Sequence, residues 1–474
     1  MARPRACSSR WRAAGLLAWW PAWALLLGSG VTPPAQAQSV AAVPAATQRA
    51  ARCIDEDPPT VQPAADPTAA GLGLAAVVQA ALAHGRSQSA ARLLAEAVAL
   101  DAEQTRAASQ WQLALGARVG GEAARLGGTD TSQPAQASAT LSLSRVLWDG
   151  GRQQSLLDWR LQLAQASRLA WLSQREQLAL SAVMLALDAE RHRVQEEVYG
   201  QYVRRMACLV DALADVVAVD RGRASELLQA RKGVQQAELS LAAARSAHRQ
   251  TEIRLRRVIG DAPVDGQLVG QALQTLPDLP PLLAAAEAAP ELAQLEHQAR
   301  AAAHWAQAVG AESRPQLSWS VAAARSAGWG GGGPPHVASL AAGIQLSVPL
   351  FSPGQAPAAD AARARALAAR EQLGDATDSR RARVRELHEQ AQAARDRAQR
   401  LGAVLRDSQQ LRSATQLQWQ QLGRRSLFDV MAAEAEHYTL RVSWIDAQLD
   451  ARQLGATLWS LGPGLARPAP AHRP

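Results

Sequence analysis

Two rhythms of apolar and polar residues alternate along this chain. Period two marks four short stretches, and a helical period fills the long stretches between them. Along 111–119, Trp111, Leu113, Leu115, Ala117 and Val119 alternate with Gln112, Ala114, Gly116 and Arg118. Along 137–144, Ala137, Ala139, Leu141 and Leu143 alternate with Ser138, Thr140, Ser142 and Ser144. The pattern returns as Leu317, Trp319 and Val321 against Ser318 and Ser320, then as Leu340, Ala342, Ile344, Leu346 and Val348 against Ser339, Gly343, Gln345 and Ser347. Successive side chains of a strand point to opposite faces, so each stretch predicts a strand with one apolar and one polar face. The segments 121–134 and 325–335, rich in Gly, Pro, Ser and Thr, predict exposed loops between paired strands. The glycine run 330–333 leads into Pro334-Pro335 rather than a Lys-Ser/Thr helix start, so it reads as loop and not as a phosphate cradle.

Proline placement outlines the helices. None occurs between Pro134 and Pro263 or between Pro357 and Pro463, although the chain holds 25. Proline lacks the N–H that a helical ladder needs, so gaps of this length mark protected helices. At 1.5 Å per residue, the stretch from Gln153 to near Val219 is a rod on the order of 100 Å long. Each long stretch breaks once beside a glycine, at Asp220-Arg221-Gly222 and at Leu422-Gly423. Reversal at Gly222 and Gly423 predicts two antiparallel helical hairpins. Tyr438, Val442, Ile445 and Leu449 mark a coiled-coil seam, and Leu169, Leu172, Ala179 and Val183 a similar one. A plain coiled-coil stalk accounts for the helices equally well, but not for the strands.

The two halves repeat at an offset of about 200 residues, the signature of an internal duplication. Leu147-Trp148-Asp149-Gly150-Gly151-Arg152 is echoed by Leu350-Phe351-Ser352-Pro353-Gly354-Gln355, and Gly222-Arg223-Ala224-Ser225 by Gly423-Arg424-Arg425-Ser426. The expected organisation is a leader over 1–37, a low-order segment over 38–70, a first repeat over 71–262, a linker over 263–282, a second repeat over 283–462 and a tail over 463–474. Each repeat holds a helix, two strands and a long helical hairpin.

Composition narrows the setting. Arg3, Arg5, Arg10 and Arg12 precede an apolar run from Ala13 to Leu27, and Ala35-Gln36-Ala37 follows as a small-residue cleavage site. That order reads as a secretory signal peptide and predicts export. Cys7 lies in the leader. Only Cys53 and Cys208 remain, which excludes a disulfide-stapled scaffold and leaves one bond between them open. The formal charge of +8 raises nucleic-acid binding. Along 378–401, however, the arginines alternate with Asp378, Glu386, Glu389 and Asp396 as on a solvated helix face, so no nucleic-acid partner is expected.

Strands of about ten residues match a membrane-spanning β-strand, but four cannot close, and open edges are not tolerated in lipid. Three copies would supply twelve strands around a water-filled lumen. The lipid-facing set would be Leu113, Leu115, Val119, Leu141, Leu143, Leu317, Trp319, Val321, Ile344, Leu346 and Val348. The alternative for the same strands is a soluble sheet with one buried face.

At this point the sequence resembles the TolC family of outer-membrane efflux and type I secretion channels. The resemblance is carried by 141–152, by 346–355, and by Gly423-Arg424-Arg425-Ser426-Leu427-Phe428-Asp429-Val430, which is similar to that family's Gly-x-Arg-Ser/Thr-x-x-Asp-Val signature. It implies an α+β membrane protein whose long coiled-coil hairpins form a periplasmic tunnel beneath a trimeric 12-stranded transmembrane β-barrel. It also implies a gate at the helical tips, with Arg425 as the cation, Glu226 as the facing carboxylate and Asp429 at the entrance. A guanidinium can hold a carboxylate through paired hydrogen bonds. Gln420 stands where the family often has a tyrosine, and Ala432 where a second acid often sits, so a weaker gate is expected.

The implied function is passive export across the outer membrane. The implied partners are two further copies of the chain, outer-membrane lipid, a periplasmic adaptor (membrane fusion) protein and an inner-membrane transporter. The nine histidines are scattered, and no Gly-x-Ser-x-Gly, Cys-x-x-Cys or zinc-protease pattern occurs, so no enzyme, cofactor or metal is expected. The competing reading is a periplasmic coiled-coil adaptor or scaffold without a barrel.

Overall fold

A computed structural model describes residues 73–126, 129–329, 336–422 and 425–466; of 122–126, 129–134 and 420–422 it describes the backbone alone. All of these lie within the unit spanning 46–474. The leader, the segment 38–70 with Cys53, the run 330–333, Gly423, the side chain of Gln420 and the tail beyond Ala466 lie outside the described residues.

The chain writes one unit twice. The first copy runs α1 (Leu74–His84), α2 (Arg86–Ala107), β1 (Gln112–Leu126), β2 (Thr129–Trp148), α3 (Arg152–Val219) and α4 (Ala224–Ile259). A short helix α5 (Gly266–Ala272) intervenes. The second copy runs α6 (Leu279–Glu287), α7 (Pro290–Ala311), β3 (Gln316–Trp329), β4 (His336–Ser347), α8 (Gln355–Leu422) and α9 (Leu427–Leu461). The equivalent helices α3 and α8 are both 68 residues long, and α2 and α7 both 22, so the repeat is a repeat of lengths as well as motifs. The expected linker over 263–282 is folded: it contains α5 and the start of α6.

The four strands form one antiparallel sheet in the order β1-β2-β3-β4. They run farther than alternation predicts. β1 reaches Leu126, β2 begins at Thr129 and β3 reaches Trp329, so most of the loop expected over 121–134 is strand, as is the start, 325–329, of the one expected over 325–335. Backbone pairing carries the ladder through polar and glycine positions that no side-chain pattern marks. Pro134 is accommodated because the register shifts there: Gly120 faces Gln136 and Glu122 faces Gln133, which leaves Pro134 outside the ladder.

The motif 147–152 turns strand into helix. Gly150 and Gly151 adopt φ of 66° and 88°, the left-handed region that glycine enters without a Cβ penalty. The Asp149 carboxylate accepts from the N–H groups of Gly151 at 3.1 Å and Gln153 at 2.7 Å, capping α3.

Below the sheet the helices pack side by side. α2 lies against α3, α3 against α7 and α7 against α8; farther down, α4 lies against α3, α3 against α9 and α9 against α8. The main core sits where α1, α3, α4, α5 and α9 meet, around Val77, Val183, Leu187, Val198, Ile259, Val269 and Tyr438. Of the predicted seam residues, Ala179, Val183, Tyr438, Ile445 and Leu449 are buried there and Val442 packs on them, while Leu169 and Leu172 are half-buried. Cys208, in α3, is disulfide-bonded, its partner lying outside the described residues. Among the described residues no helix is long and apolar enough to cross a membrane.

Candidate functional site

Cross-strand register sorts the sheet into two faces. Leu113, Leu115 and Val119 lie in rows with Leu143, Leu141 and Ala137, and these continue into Val321, Ala323 and Ala327 and then Ala342, Leu340 and His336. Trp319, Ile344, Leu317 and Leu346 complete the same face. Every predicted lipid-facing residue falls on it except Val348, which lies one residue beyond β4. Ser138, Thr140, Ser142, Ser144, Ser320, Ser326, Ser339 and Gln345 line the other face.

Among the described residues no helix packs across either face. The apolar one is therefore open, with Val119, Leu340 and Leu115 exposed by 81%, 76% and 75%. A soluble sheet keeps such a face buried, and the described residues of this chain supply no cover for it. Trp319 and Trp329 sit at the two ends of the apolar face of β3. Ten residues apart on a strand tilted by about 40°, they are about 25 Å apart along the sheet normal to the lower rim, the height of the apolar band of a membrane barrel. At the lower end Trp111 meets Trp319 edge-on at 5.0 Å, and the Arg145 guanidinium lies 5.4 Å from the Trp111 ring, a cation held among aromatics as at a membrane interface. One charge departs from the pattern: Arg325, opposite Ala139 and Ala338, stands on the apolar face.

At the far end of the helices, the first hairpin reverses through a single 3-10 turn, Arg221–Arg223. The Asp220 carboxylate accepts from Gly222 N–H at 3.0 Å, which fixes the turn where the glycine was expected to permit it. Glu226, in the first turn of α4, pairs with Arg223 at 3.3 Å, while its Oε2 is buried without a hydrogen-bond partner. Across the second reversal Ser426 and Asp429 form a reciprocal capping box: Ser426 N–H donates to the Asp429 carboxylate at 3.0 Å, and Asp429 N–H donates to Ser426 Oγ at 3.3 Å. Asp429 thus starts α9 as well as carrying charge. Ser426→Ala is expected to cost about 1 kcal/mol of stability at this helix start, read as faster amide exchange confined to the first turn of α9. Arg425 is exposed, and its Nε donates to Gln418 at 3.2 Å. Within one chain Arg425 and Glu226 hold different partners, so the expected ion pair is not formed inside the subunit.

A site that sequence reasoning missed lies about two turns into α9. Glu434 is fully buried and receives Arg205 of α3 at 3.0 Å and Arg412 of α8 at 3.4 Å. Arg205 also donates to Gln416. His437, buried one turn on, lies 3.4 Å from Ser408. Three distant stretches converge here, and each reads alone as another charged helix. Higher on the shaft, Arg191 of α3 bonds Asp450 of α9 at 2.8 Å, and burial holds the neighbouring Asp446 carboxyl above the usual carboxylate range against the opposing pull of Arg191.

The chain is similar to known proteins in two ways. Residues 282–461 match the family model described as outer membrane efflux protein. The fold, four strands above paired helical hairpins, is that of the TolC-like channels. A membrane protein from Pseudomonas aeruginosa superposes with a TM-score of 0.70 at 21% identity, covering 82% of this chain and 92% of that one. The outer membrane protein VceC from Vibrio cholerae gives 0.69 at 17%, covering 83% and 96%. The open state of the Neisseria gonorrhoeae MtrE outer membrane channel gives 0.68 at 18%, covering 83% and 89%. A search of curated protein sequences finds no significant match.

Proposed function

We propose that three copies of this efflux-domain chain close into an outer-membrane tunnel that passively exports substrate, gated at the helical tips. The carrying observation is the four-stranded sheet whose apolar face is uncovered and whose two edges, β1 and β4, are open. Lipid tolerates such a sheet only when it closes. Two copies would make an eight-stranded barrel filled by its own side chains, whereas three make twelve strands with room for a lumen.

The helices support the same closure. One side of the chain is β1, α2 and α4; the other is β4 and α8. Both sides present unpartnered apolar side chains: Leu93, Leu94, Leu100, Leu228, Leu239 and Ile253 on the first, Leu367, Val404 and Leu411 on the second. Leu228, Leu239 and Ile253 are roughly three and four helical turns apart and so form one stripe. Unlike edges that mate head to tail generate a ring.

That ring brings the α8–α9 tip of one copy to the start of α4 of the next. Arg425 would then meet Glu226 of a neighbouring copy, whose buried Oε2 lacks a donor. The gate is therefore an intersubunit latch, and a periplasmic adaptor with its inner-membrane transporter would open it by competing for these groups. Arg425→Ser is expected to raise the single-channel conductance of the reconstituted protein, and unchanged conductance would remove the latch. The channel itself is tested by fractionation. Trimers that dissociate only on heating are expected in the outer membrane, and a soluble periplasmic monomer would instead favour the adaptor reading.

A further inference from the structure

The polar face of the sheet carries one charge among the residues whose side chains are described. Arg118 of β1 stands in a row with Ser138 of β2, Ser326 of β3 and Val337 of β4. The other positions on that face whose side chains are described, from Gln112, Ala114 and Gly116 through Thr140, Ser142, Ser320, Ala322 and Ala324 to Ser339, Ala341, Gly343 and Gln345, hold no carboxylate to answer it. Arg118 is exposed, and among the described residues no side chain is paired with it.

We propose that Arg118 forms a ring of three guanidinium groups in the lumen and makes the barrel an anion-preferring exit. The proposal rests on the trimeric channel described above. Twelve strands about 4.8 Å apart and tilted by about 40° close at a backbone radius of about 12 Å. An arginine reaching about 6 Å inward leaves roughly 6 Å to the axis, less than the Debye length of about 8–10 Å at physiological salt. No ion crosses this level outside the field of the ring. Rings of Arg in a pore wall favour anions. The ring sits level with Arg325, in the outer part of the apolar band, so it acts after the tip gate and independently of it. Anionic and neutral substrates pass this level more readily than polycations.

The test is the reversal potential of the reconstituted full-length trimer in a potassium chloride gradient, at low and high salt. Arg118→Ser is expected to lower the chloride-to-potassium permeability ratio about twofold or more, and Arg118→Glu to lower it further. The difference should shrink as salt rises. Arg325→Ser, which removes a charge from the opposite face, is the control and should leave the ratio in place. A conducting trimer whose ratio is the same in wild type, Arg118→Ser and Arg118→Glu would overturn the proposal, as would an equal shift in Arg325→Ser. Absence of any conductance in the wild type would overturn the channel reading itself.

Discussion

Replacing Glu434 by alanine is expected to cost about 3–5 kcal/mol of folding stability, the largest loss foreseen for any single substitution in this chain. The carboxylate is fully buried between Arg205 and Arg412. Removing it leaves two guanidinium groups in a low-dielectric interior with no counter-charge between them, and the attraction that tied α3 to α8 and α9 becomes repulsion. Desolvating the intact triad already offsets much of its Coulomb gain, so the cluster is not a large net source of stability. Its cost appears when it is broken unevenly. A variant in which Arg205, Glu434 and Arg412 all become apolar residues of similar volume is therefore expected to recover most of the loss. Guanidinium denaturation of the detergent-solubilised protein, with amide exchange along the first turns of α9, checks both variants. If Glu434→Ala unfolds at the wild-type midpoint, the triad contributes no constraint.

Leu239→Glu combined with Ile253→Glu is expected to yield a folded monomer. Both side chains are exposed on α4, at 72% and 69%. Within the subunit the change replaces one solvated residue by another and leaves helix content unaltered. In the proposed trimer each seam would bury both, and apolar burial is worth about 1.5–3 kcal/mol per side chain, so six side chains over three seams would amount to on the order of 10 kcal/mol. Two carboxylates buried in each seam add a further desolvation cost. Light scattering in detergent reads the mass, and circular dichroism reads the helices. A trimer of undiminished stability would show that α4 does not lie in the seam, whatever the strands do.

These two sites differ in how far the chain itself announced them. The strands were legible because apolar and polar residues alternate with the period of the pleat, and Leu113 to Val119 display it without interruption. The long helices were legible from the absence of proline, and the first reversal from Gly222. The duplication was visible in the two strand-to-helix motifs, and the structure gives the first its physical content in the Asp149 cap and two left-handed glycines. The ends of the strands were not legible. Past Gly120 the ladder is held by backbone hydrogen bonds, which leave no mark on side-chain chemistry.

The sequence by itself determined the four strands, the long helices, their order and their amphipathic faces, because helix and strand periods are local and repeat every few residues. Only the tertiary structure decided what those faces meet. Among the described residues it placed no helix over the apolar side of the sheet, left apolar side chains exposed on α4 and α8, and gave Arg425 and Glu226 different partners within the subunit. It also joined Arg205, Arg412 and Glu434, three charges that are distant along the chain. Contacts of that kind depend on how long helices cross, and no local period encodes a crossing.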